Sequence, residues 1–387
     1  MLKDKKILLG ITGGIAAYKA VELASRLTSA GAAVKTIMTA HACEFIRPLT
    51  LKSITHQPVI TAYFDQNADI EHISLADWAD ILVVAPATAN IIGKTAGGIA
   101  DDLLSTTLLA VKAPVLFVPS MNVHMYDNPL VKRNIEILSS LGYQFLEPTT
   151  GSLACGYQGK GRYPENQEII FNLQTLLHYK KDLRDKKVLI TAGATRENID
   201  PMRFITNNSS GLMGLSLARA AYFRGAEVSL ITAHTSLLIP YYLKNVTANS
   251  AEDMYHAVTD IADHFDLIFM TAAVSDYTPA QPSAQKIKKG QDMDLKLKRT
   301  RDILENLGNN KPTRQTLVGF AAESENIVAN AREKLTRKKL DFIVANDISV
   351  SGKNDTTVNV LSSNNQKQMN GDKFLVAHQI LDFILYG

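Results

Sequence analysis

The chain of 387 residues sets 41 lysines and arginines against 38 aspartates and glutamates, a formal charge of +3. So small a surplus, scattered rather than blocked, argues against nucleic acid or a membrane surface as a partner and leaves anionic small molecules open. Its two cysteines, Cys43 and Cys155, cannot build a disulfide framework, and its opening residues show no signal-peptide pattern. No apolar run reaches the ~18 residues of a membrane span, so a cytoplasmic protein is expected. The length suits two domains of roughly 190 residues each.

Lys6 to Ile11 is an apolar strand, and Thr12-Gly13-Gly14 turns the chain into a helix predicted over Ile15 to Ala30, where apolar residues recur at helical spacing up to Gly31. A strand, a glycine turn and a helix amino end can bring backbone N–H groups against a phosphate, with the Thr12 hydroxyl added. The full Gly-x-Gly-x-x-Gly pattern is absent, so the turn alone does not specify a nucleotide. A second strand, Ala33 to Met38, ends at Thr39, a second candidate phosphate-facing hydroxyl, before a helix through Cys43 and Phe45. Glu71-His72-Ile73-Ser74 reads as a loop, with Ser74 capping a short helix from Leu75 to Ala79 ahead of a strand, Asp80 to Ala85. A loop histidine is either solvated or a base that works near neutral pH. Pro86-Ala87-Thr88-Ala89-Asn90 opens one long helical stretch through Lys94, Gly97-Gly98, Asp101-Asp102 and Leu103-Leu104, whose small residues let a flat ring lie against the backbone.

The apolar run Ala113 to Val118 should deliver Pro119-Ser-Met-Asn-Val-His-Met-Tyr126 at the carboxyl end of a buried strand, where an open α/β sheet places its chemistry. Between Met121 and Met125, the Asn122 amide can donate to a carboxylate and accept from an N–H, which suits a small acid-amide substrate; an ordinary helix cap is the competing reading. Gly151 to Arg162 is glycine-rich without apolar period and reads as a mobile loop around Cys155, a flap able to close over a substrate and deliver a proton. A helix follows over Gln167 to His178.

Lys180 to Lys187 reads as a charged hinge, and a boundary near Arg184 divides the chain into domains 1–183 and 184–387. From there the opening architecture repeats: a strand from Val188 to Thr191, a glycine turn Ala192-Gly193-Ala194-Thr195, and a helix over Gly211 to Arg224. The intervening loop presents Arg196, Arg203, Asn207, Asn208 and Ser209-Ser210-Gly211 ahead of a helix amino end, a natural anion site. A buried strand, Phe265 to Met270, leads to Ala272, Ala273 and Val274, small enough to pass under a base or ribose, with Asp276 available to a hydroxyl. The cluster Lys286-Ile287-Lys288-Lys289 is either a solvated face or part of a nucleotide pocket. After a strand Leu317 to Phe320, a helix carries Lys334 and Lys338 on one face, and Asp341 to Val344 supplies a last strand. Two lysines of that helix plus one of the cluster could surround a triphosphate without a Walker loop.

Several of these stretches resemble known families. Pro-Ser-Met-Asn-x-x-Met-Tyr is similar to the Pro-x-Met-Asn-x-x-Met-Trp signature of flavin-dependent cysteine decarboxylases, with Tyr126 for the tryptophan. Glu-His-Ile-Ser-Leu resembles their catalytic histidine motif. Ala-Pro-Ala-Thr-Ala-Asn and Gly-Ile-Ala-Asp-Asp-Leu-Leu resemble their flavin-binding signatures, and Ala-Cys-Gly-x-x-Gly-x-Gly-Arg their substrate flap. The second half resembles phosphopantothenoylcysteine synthetase, the cytidylate-forming ligase, through Ile-Thr-Ala-Gly-Ala-Thr-Arg-Glu, Ile199-Asp200-Pro201, Arg203 to Gly214, Ala-Ala-Val-Ser-Asp-Tyr, Lys-Ile-Lys-Lys and Val-Gly-Phe-Ala-Ala-Glu through Ala-Asn-Asp. It departs from that family at Ala194 (usually proline), Leu212 (usually lysine), Thr300-Arg301-Asp302 (usually Asn-Pro-Asp) and across Ser351 to Ser362.

End to end, the chain resembles the bifunctional decarboxylase/ligase family of coenzyme A biosynthesis. The resemblance implies two doubly wound parallel-sheet domains, an N-terminal flavodoxin-like flavoprotein domain and a C-terminal Rossmann-like CTP-binding domain. It implies FMN held by Thr12, Gly13, Gly14, Thr39, Pro86, Thr88, Asn90 and Met121, with His72 as base, Asn122 on the carboxylate and Cys155 as proton donor. In the ligase it implies 4'-phosphopantothenate, cysteine and CTP as substrates, Mg2+ with ligands unassigned, Lys286 for the leaving group, and Asn207 and Arg203 on the acyl phosphate. The nucleotide would lie among Ala272, Ala273, Val274, Asp276, Arg301, Asp302, Ile303, Leu304, Phe320, Lys334 and Lys338. The family builds trimers through the flavin half, whose FMN site lies between subunits, and dimers through the ligase half. The competing readings are a flavin-binding regulatory subunit without catalysis, against which Cys155, His72 and Asn122 together argue, and an NAD dehydrogenase, which lacks its glycine fingerprint.

Overall fold

The structure is a computed structural model that describes residues 1–62, 71–152, 156–288, 294–348, 353 and 355–387. Of the residues singled out above, Cys155, Lys289 and part of the stretch from Ser351 lie outside the described residues. The chain divides into two compact units, Met1–Lys180 and Lys181–Gly387.

Unit 1 runs β1 (Lys6–Ile11), α1 (Ala17–Ser29), β2 (Ala33–Met38), α2 (Ala40–Phe45), α3 (Pro48–Thr55), β3 (Val59–Ile60), α4 (Glu71–Trp78), β4 (Ile81–Ala87), α5 (Ala89–Ala96), α6 (Leu103–Ala110), β5 (Val115–Pro119), α7 (Val123–Tyr126), α8 (Pro129–Ser140), β6 (Gln144–Phe145), β7 (Thr149–Ser152), β8 (Gln158–Arg162) and α9 (Asn166–His178). Its main sheet is parallel, in the order β3-β2-β1-β4-β5-β6. Without the two-residue edge strand β3, that is the flavodoxin order, with its switch point between β1 and β4. Helices cover both faces of such a sheet, which is why β4 is buried along its whole length and its sequence is apolar throughout.

Three local expectations are corrected. The long helical stretch after Asn90 is two helices: Gly98 takes φ +67°, a conformation that favours glycine, and the Asp102 carboxylate caps α6 in a capping box with Ser105. Lys94 of α5 reaches over the break to Asp101 (2.7 Å) and Asp102 (3.1 Å). His72 is helical rather than in a loop, and Ser74 sits exposed inside α4 instead of capping it. Leu75 and Ala79 anchor α4 in the same core as Leu103, Leu104 and Leu108, and such packing holds a helix a turn beyond where a good cap residue would start it. The glycine-rich stretch 151–162 is largely an antiparallel hairpin, β7 with β8, because its glycines serve close approach to a neighbouring loop.

Unit 2 runs β9 (Lys187–Ala192), β10 (Arg196–Asn198), β11 (Phe204–Thr206), α10 (Leu212–Phe223), β12 (Glu227–Thr232), β13 (Lys244–Thr247), α11 (Ala251–Thr259), β14 (Leu267–Met270), β15 (Tyr277–Pro279), β16 (Leu297–Arg299), α12 (Ile303–Asn310), β17 (Thr316–Glu323), α13 (Ile327–Arg337), β18 (Phe342–Asp347), β19 (Asp355–Leu361), β20 (Gln366–Asp372) and α14 (Lys373–Tyr386). The sheet order is β13-β12-β9-β14-β17-β18-β19-β20, parallel up to β18. The strand at Phe342–Asp347 is therefore not the last, since β19 and β20 extend the sheet antiparallel. Thr356, Val358 and Val360 alternate inward along β19, the period of a strand whose two faces differ, and a stretch read as a divergent motif hid that period. Two short antiparallel pairs, the β10–β11 hairpin and β15 with β16, stand outside the sheet. Among the described residues, no helix is long and apolar enough to cross a membrane.

The charged stretch from Lys180 is only partly a hinge. Leu183 is fully buried, and Asp182 accepts from the buried Arg224 at 2.8 and 2.5 Å. Arg224 also donates to Asp382 (2.8 Å) and the His378 carbonyl (3.3 Å), tying α10 to α14. Burial alone would raise the Asp182 carboxyl, but hydrogen bonds from Arg224 and Tyr386 hold it below its ordinary value. Arg224→Met should cost unit 2 about 3 kcal/mol in urea unfolding, because it strands Asp182. The contribution of a lowered carboxyl is present above its unfolded value of about 3.9 and lost as pH falls through the folded one. Acidification should therefore destabilise the variant less steeply than the wild type.

Candidate functional site

In unit 1 the exits of β1 and β4 part at the switch point, and a hydroxyl closes the gap. Thr12 Oγ1 donates to the Pro86 carbonyl (2.7 Å) and accepts from Thr88 N–H (3.1 Å). Thr12 is 2% exposed, so its hydroxyl builds the crevice instead of facing a phosphate, which corrects that expectation. Pro86, after a cis peptide bond, is buried within β4; Asn90 is exposed in the first turn of α5. A side chain on Gly13 would put its Cβ 2.2 Å from the Cβ of His41, so packing against α2 alone requires glycine there. A Cβ on Gly14 would meet nothing nearer than Thr88 at 3.7 Å, so the crevice is open on that side. Thr39 Oγ1 accepts from Ala42 N–H (3.3 Å), a bond that uses a lone pair and not the hydroxyl proton.

The loop after β5 is tied back to this crevice by Ser120 N–H on the Ala87 carbonyl (3.1 Å). Asn122 does cap α7, accepting from His124 N–H at 2.8 Å, and the bond fixes the orientation of its amide. The β7–β8 hairpin lies on the same loop. Met121 N–H donates to the Gly161 carbonyl (3.0 Å), and a Cβ on Gly161, whose φ is +155°, would stand 2.3 Å from the Met121 carbonyl. Lys160 lies 5.7 Å from the centre of the Tyr126 ring, and Tyr157 meets His124 edge to face at 5.1 Å. β8 thus lies along Met121 and α7, while α4, which carries His72, packs on α6.

Unit 2 repeats the crossing. Ala272 N–H donates to Thr191 Oγ1 (3.1 Å) and Ser275 N–H to Thr195 Oγ1 (3.0 Å). Ala194 N–H donates to the His234 carbonyl (3.1 Å), a bond that a proline could not make. Beside this crossing lies a cavity of about 560 Å³ that gathers Ala272, Val274, Asp276, Arg301, Asp302, Ile303, Leu304, Phe320 and Lys338. Ala273, Arg203 and Lys334 do not line it. Sequence reasoning missed Tyr277 and Arg299, which face each other across the β15–β16 pairing, and Ser275 in the loop before it; that pairing spans a long insertion and leaves no local signal. Asp302 spends one oxygen capping α12, at 3.0 Å from Glu305 N, and the other on Lys338 at 2.7 Å. Burial would raise this carboxyl, but Lys338 and the cap hold it low. Arg301 pairs with Glu252 and lies 4.4 Å from the Tyr255 ring centre. The wall thus sets Asp276, Asp302 and Glu305 against Arg299, Arg301 and Lys338, and so carries no net positive charge.

Lys334 pairs with Glu323 at 2.5 Å, so the two lysines of one helix face are claimed by different carboxylates. Asn207 Nδ2 donates to the carbonyls of Ala273 and Val274, both at 3.3 Å, which places it on the same crossing. Arg203 is engaged by Asp200 (2.9 Å) and by the Ile287 carbonyl, and Lys286 is exposed. Among the described residues no cluster of His, Cys, Asp or Glu could hold a metal ion.

A flavodoxin-order sheet followed by a Rossmann-order sheet, each with its polar loops at the switch point, defines a two-unit, doubly wound α/β protein. The model of the Flavoprotein family matches residues 1–178, and that of the DNA/pantothenate metabolism flavoprotein C-terminal domain matches residues 183–386. The coenzyme A biosynthesis bifunctional protein CoaBC of Bacillus subtilis is 52% identical over 91% of this chain and 88% of its own length. That of Borreliella burgdorferi is 41% identical over the whole of both chains. Among solved structures, the C-terminal domain of a CoaBC protein is 39% identical over 52% of this chain and 95% of its own, with a TM-score of 0.45. The chain belongs to the CoaBC family of bifunctional coenzyme A biosynthesis proteins, whose first half is a flavoprotein.

Thr12→Val keeps the volume but strands the buried Thr88 N–H and Pro86 carbonyl. It should destabilise unit 1 by about 1–3 kcal/mol and cost it bound flavin during gel filtration. The visible absorbance of the eluted protein reads this directly; a variant as yellow as the wild type would show that the crossing is not needed for the site.

Proposed function

We propose that the second half ligates 4'-phosphopantothenate to cysteine using CTP, and that the first half decarboxylates the resulting 4'-phosphopantothenoylcysteine to 4'-phosphopantetheine. What carries the reading is the pairing, in one chain of this family, of a backbone-lined crevice at one switch point with a charge-balanced cavity beside the other. The boundary between the halves falls near Arg184 in this reading, and the enzyme works in the cytoplasm, where CTP is available. Assembly through both halves, trimeric for the first and dimeric for the second, belongs to the same reading.

In the decarboxylase, the crevice beside Gly14 and Thr88 would hold FMN, with Thr39 and the amino ends of α1 and α5 offering donors to its phosphate. The chemistry it supplies when bound is reversible two-electron oxidation of the substrate thiol. His72 takes the proton, Asn122 orients the carboxylate, and the hairpin over Met121 keeps water from the reacting carbon. Cys155 returns a proton after carbon dioxide has left, which makes it the thiol of the flap.

In the ligase, the carboxylate of phosphopantothenate attacks the α-phosphorus of CTP and expels pyrophosphate; the cysteine amine then attacks the acyl-cytidylate and expels CMP. Phe320 packs on the base, Asp276 takes the ribose, and Asn207 orients the acyl phosphate from its seat on Ala273 and Val274. A balanced wall cannot neutralise a triphosphate by itself, so Mg2+ enters with the nucleotide, bound mainly through phosphates and water. Lys286 adds the remaining cation, and Lys338 can turn to the phosphates only by leaving Asp302.

Lys286→Gln should slow CTP-dependent pyrophosphate release on the order of 100-fold, yet leave decarboxylation of supplied phosphopantothenoylcysteine intact. Cys155→Ser should do the reverse: ligation continues, while carbon dioxide is released at most once per site and no saturated thiol forms. If Lys286→Gln abolished carbon dioxide release and spared pyrophosphate release, the halves would be assigned the wrong way round.

A further inference from the structure

The segment that carries Lys286 lies between β15 and β16, and the described contacts that hold it lead back to the β10–β11 hairpin. Ser283 N–H donates to the Ile199 carbonyl at 2.9 Å. Four residues later, Ile287 is gripped on both sides of its backbone: its N–H donates to Asp200 Oδ2 at 3.1 Å, and its carbonyl accepts from Arg203 Nη2. The Asp200 side chain is fully buried and uses both of its oxygens. Oδ1 accepts from Met202 N–H and Arg203 N–H, each at 2.8 Å, which closes the hairpin turn in the manner of any aspartate at such a place. Oδ2 takes Arg203 Nη2 at 2.9 Å as well as Ile287, so the second oxygen serves a segment 87 residues away. A turn needs only the first of these. A buried carboxylate whose second oxygen fixes a distant backbone N–H, backed by a guanidinium that holds the carbonyl of the same residue, does a further job.

We propose that Asp200 and Arg203 form a clasp that sets the Lys286 segment in its working position, which makes Asp200 a positioning residue of the ligase half. This rests on the ligase reading of Lys286 given above. It also changes the expectation for Arg203: its guanidinium orders the segment, and the Lys286 ammonium, one residue from the gripped Ile287, meets the developing phosphate charge. A lysine on an exposed segment searches many positions, and holding the adjacent backbone restricts that search before the nucleotide arrives.

Asp200→Asn separates the two jobs. Asparagine closes the same turn with its carbonyl oxygen but turns an NH2 toward Ile287 N–H and the guanidinium, so it keeps the hairpin and opens the clasp. The full-length protein is examined in two ways. In hydrogen exchange, the Ile287 amide should be protected in the wild type and exchange at least 10-fold faster in Asp200→Asn. In CTP-dependent pyrophosphate release with 4'-phosphopantothenate and cysteine, Asp200→Asn should be slower by on the order of 10-fold, and Asp200→Asn/Lys286→Gln no slower than Lys286→Gln alone. Ile287→Pro deletes the N–H from the other end without touching the hairpin and should show the same non-additivity with Lys286→Gln. Multiplying losses in both double variants would overturn the positioning role, and an Ile287 amide unprotected in the wild type would overturn the clasp. A Lys286→Gln variant as active as the wild type would instead sink the ligase reading of Lys286, while the exchange result would still report on the clasp.

Discussion

A threonine hydroxyl that crosses a sheet's switch point is the interaction on which both candidate sites depend. Where the chain order reverses, the loops leaving two neighbouring strands run apart, and the carboxyl edge of the sheet opens into a crevice. Left alone, that crevice would expose the first backbone groups beyond each strand. Thr12 joins Pro86 and Thr88 in unit 1, and Thr191 and Thr195 take the N–H groups of Ala272 and Ser275 in unit 2. Each hydroxyl satisfies groups that a ligand would otherwise have to satisfy. It also holds the two loops at a fixed spacing, so the crevice is formed before anything binds.

Charge is handled by pairing in advance. Around the cavity of unit 2, Lys338 rests on Asp302, Arg301 on Glu252 and the Tyr255 ring, and Lys334 on Glu323. Few of these cations are bare, so a phosphate ligand has to compete for them or bring its own metal. Away from the cavity, Arg224 and Asp200 show the same habit in buried form, where a charge withdrawn from water is matched and its remaining hydrogen bonds filled.

The parallel strands were legible because burial on both faces leaves continuous apolar runs: β1 and β2 are found at the bounds their sequence predicts. So were the loops at their carboxyl ends, since they follow those strands directly. The helices were less so. Whether Gly97-Gly98 interrupts a helix or merely weakens it depends on the φ of Gly98 and on the Asp102 cap, and where α4 begins depends on what Leu75 packs against. The final antiparallel pair was missed because β20 is polar and exposed over most of its length, with only Met369 buried, and gains its stability from a neighbour, not from its own composition.

By itself the sequence determined the two-unit α/β architecture, the parallel strands that part at the two switch points and, through its motifs, the family; these are local patterns, written in consecutive residues. What each polar side chain does there was decided only by tertiary structure. Thr12 had the right hydroxyl in the right place, but the proton goes to a carbonyl 74 residues away. Asp302 lines the cavity as a helix cap that holds Lys338, and Arg203 grips Ile287, contacts that no spacing in the sequence announced. A hydrogen bond is settled by which donor and acceptor the fold brings within about 3 Å, and that distance belongs to the folded chain and to no stretch of its sequence.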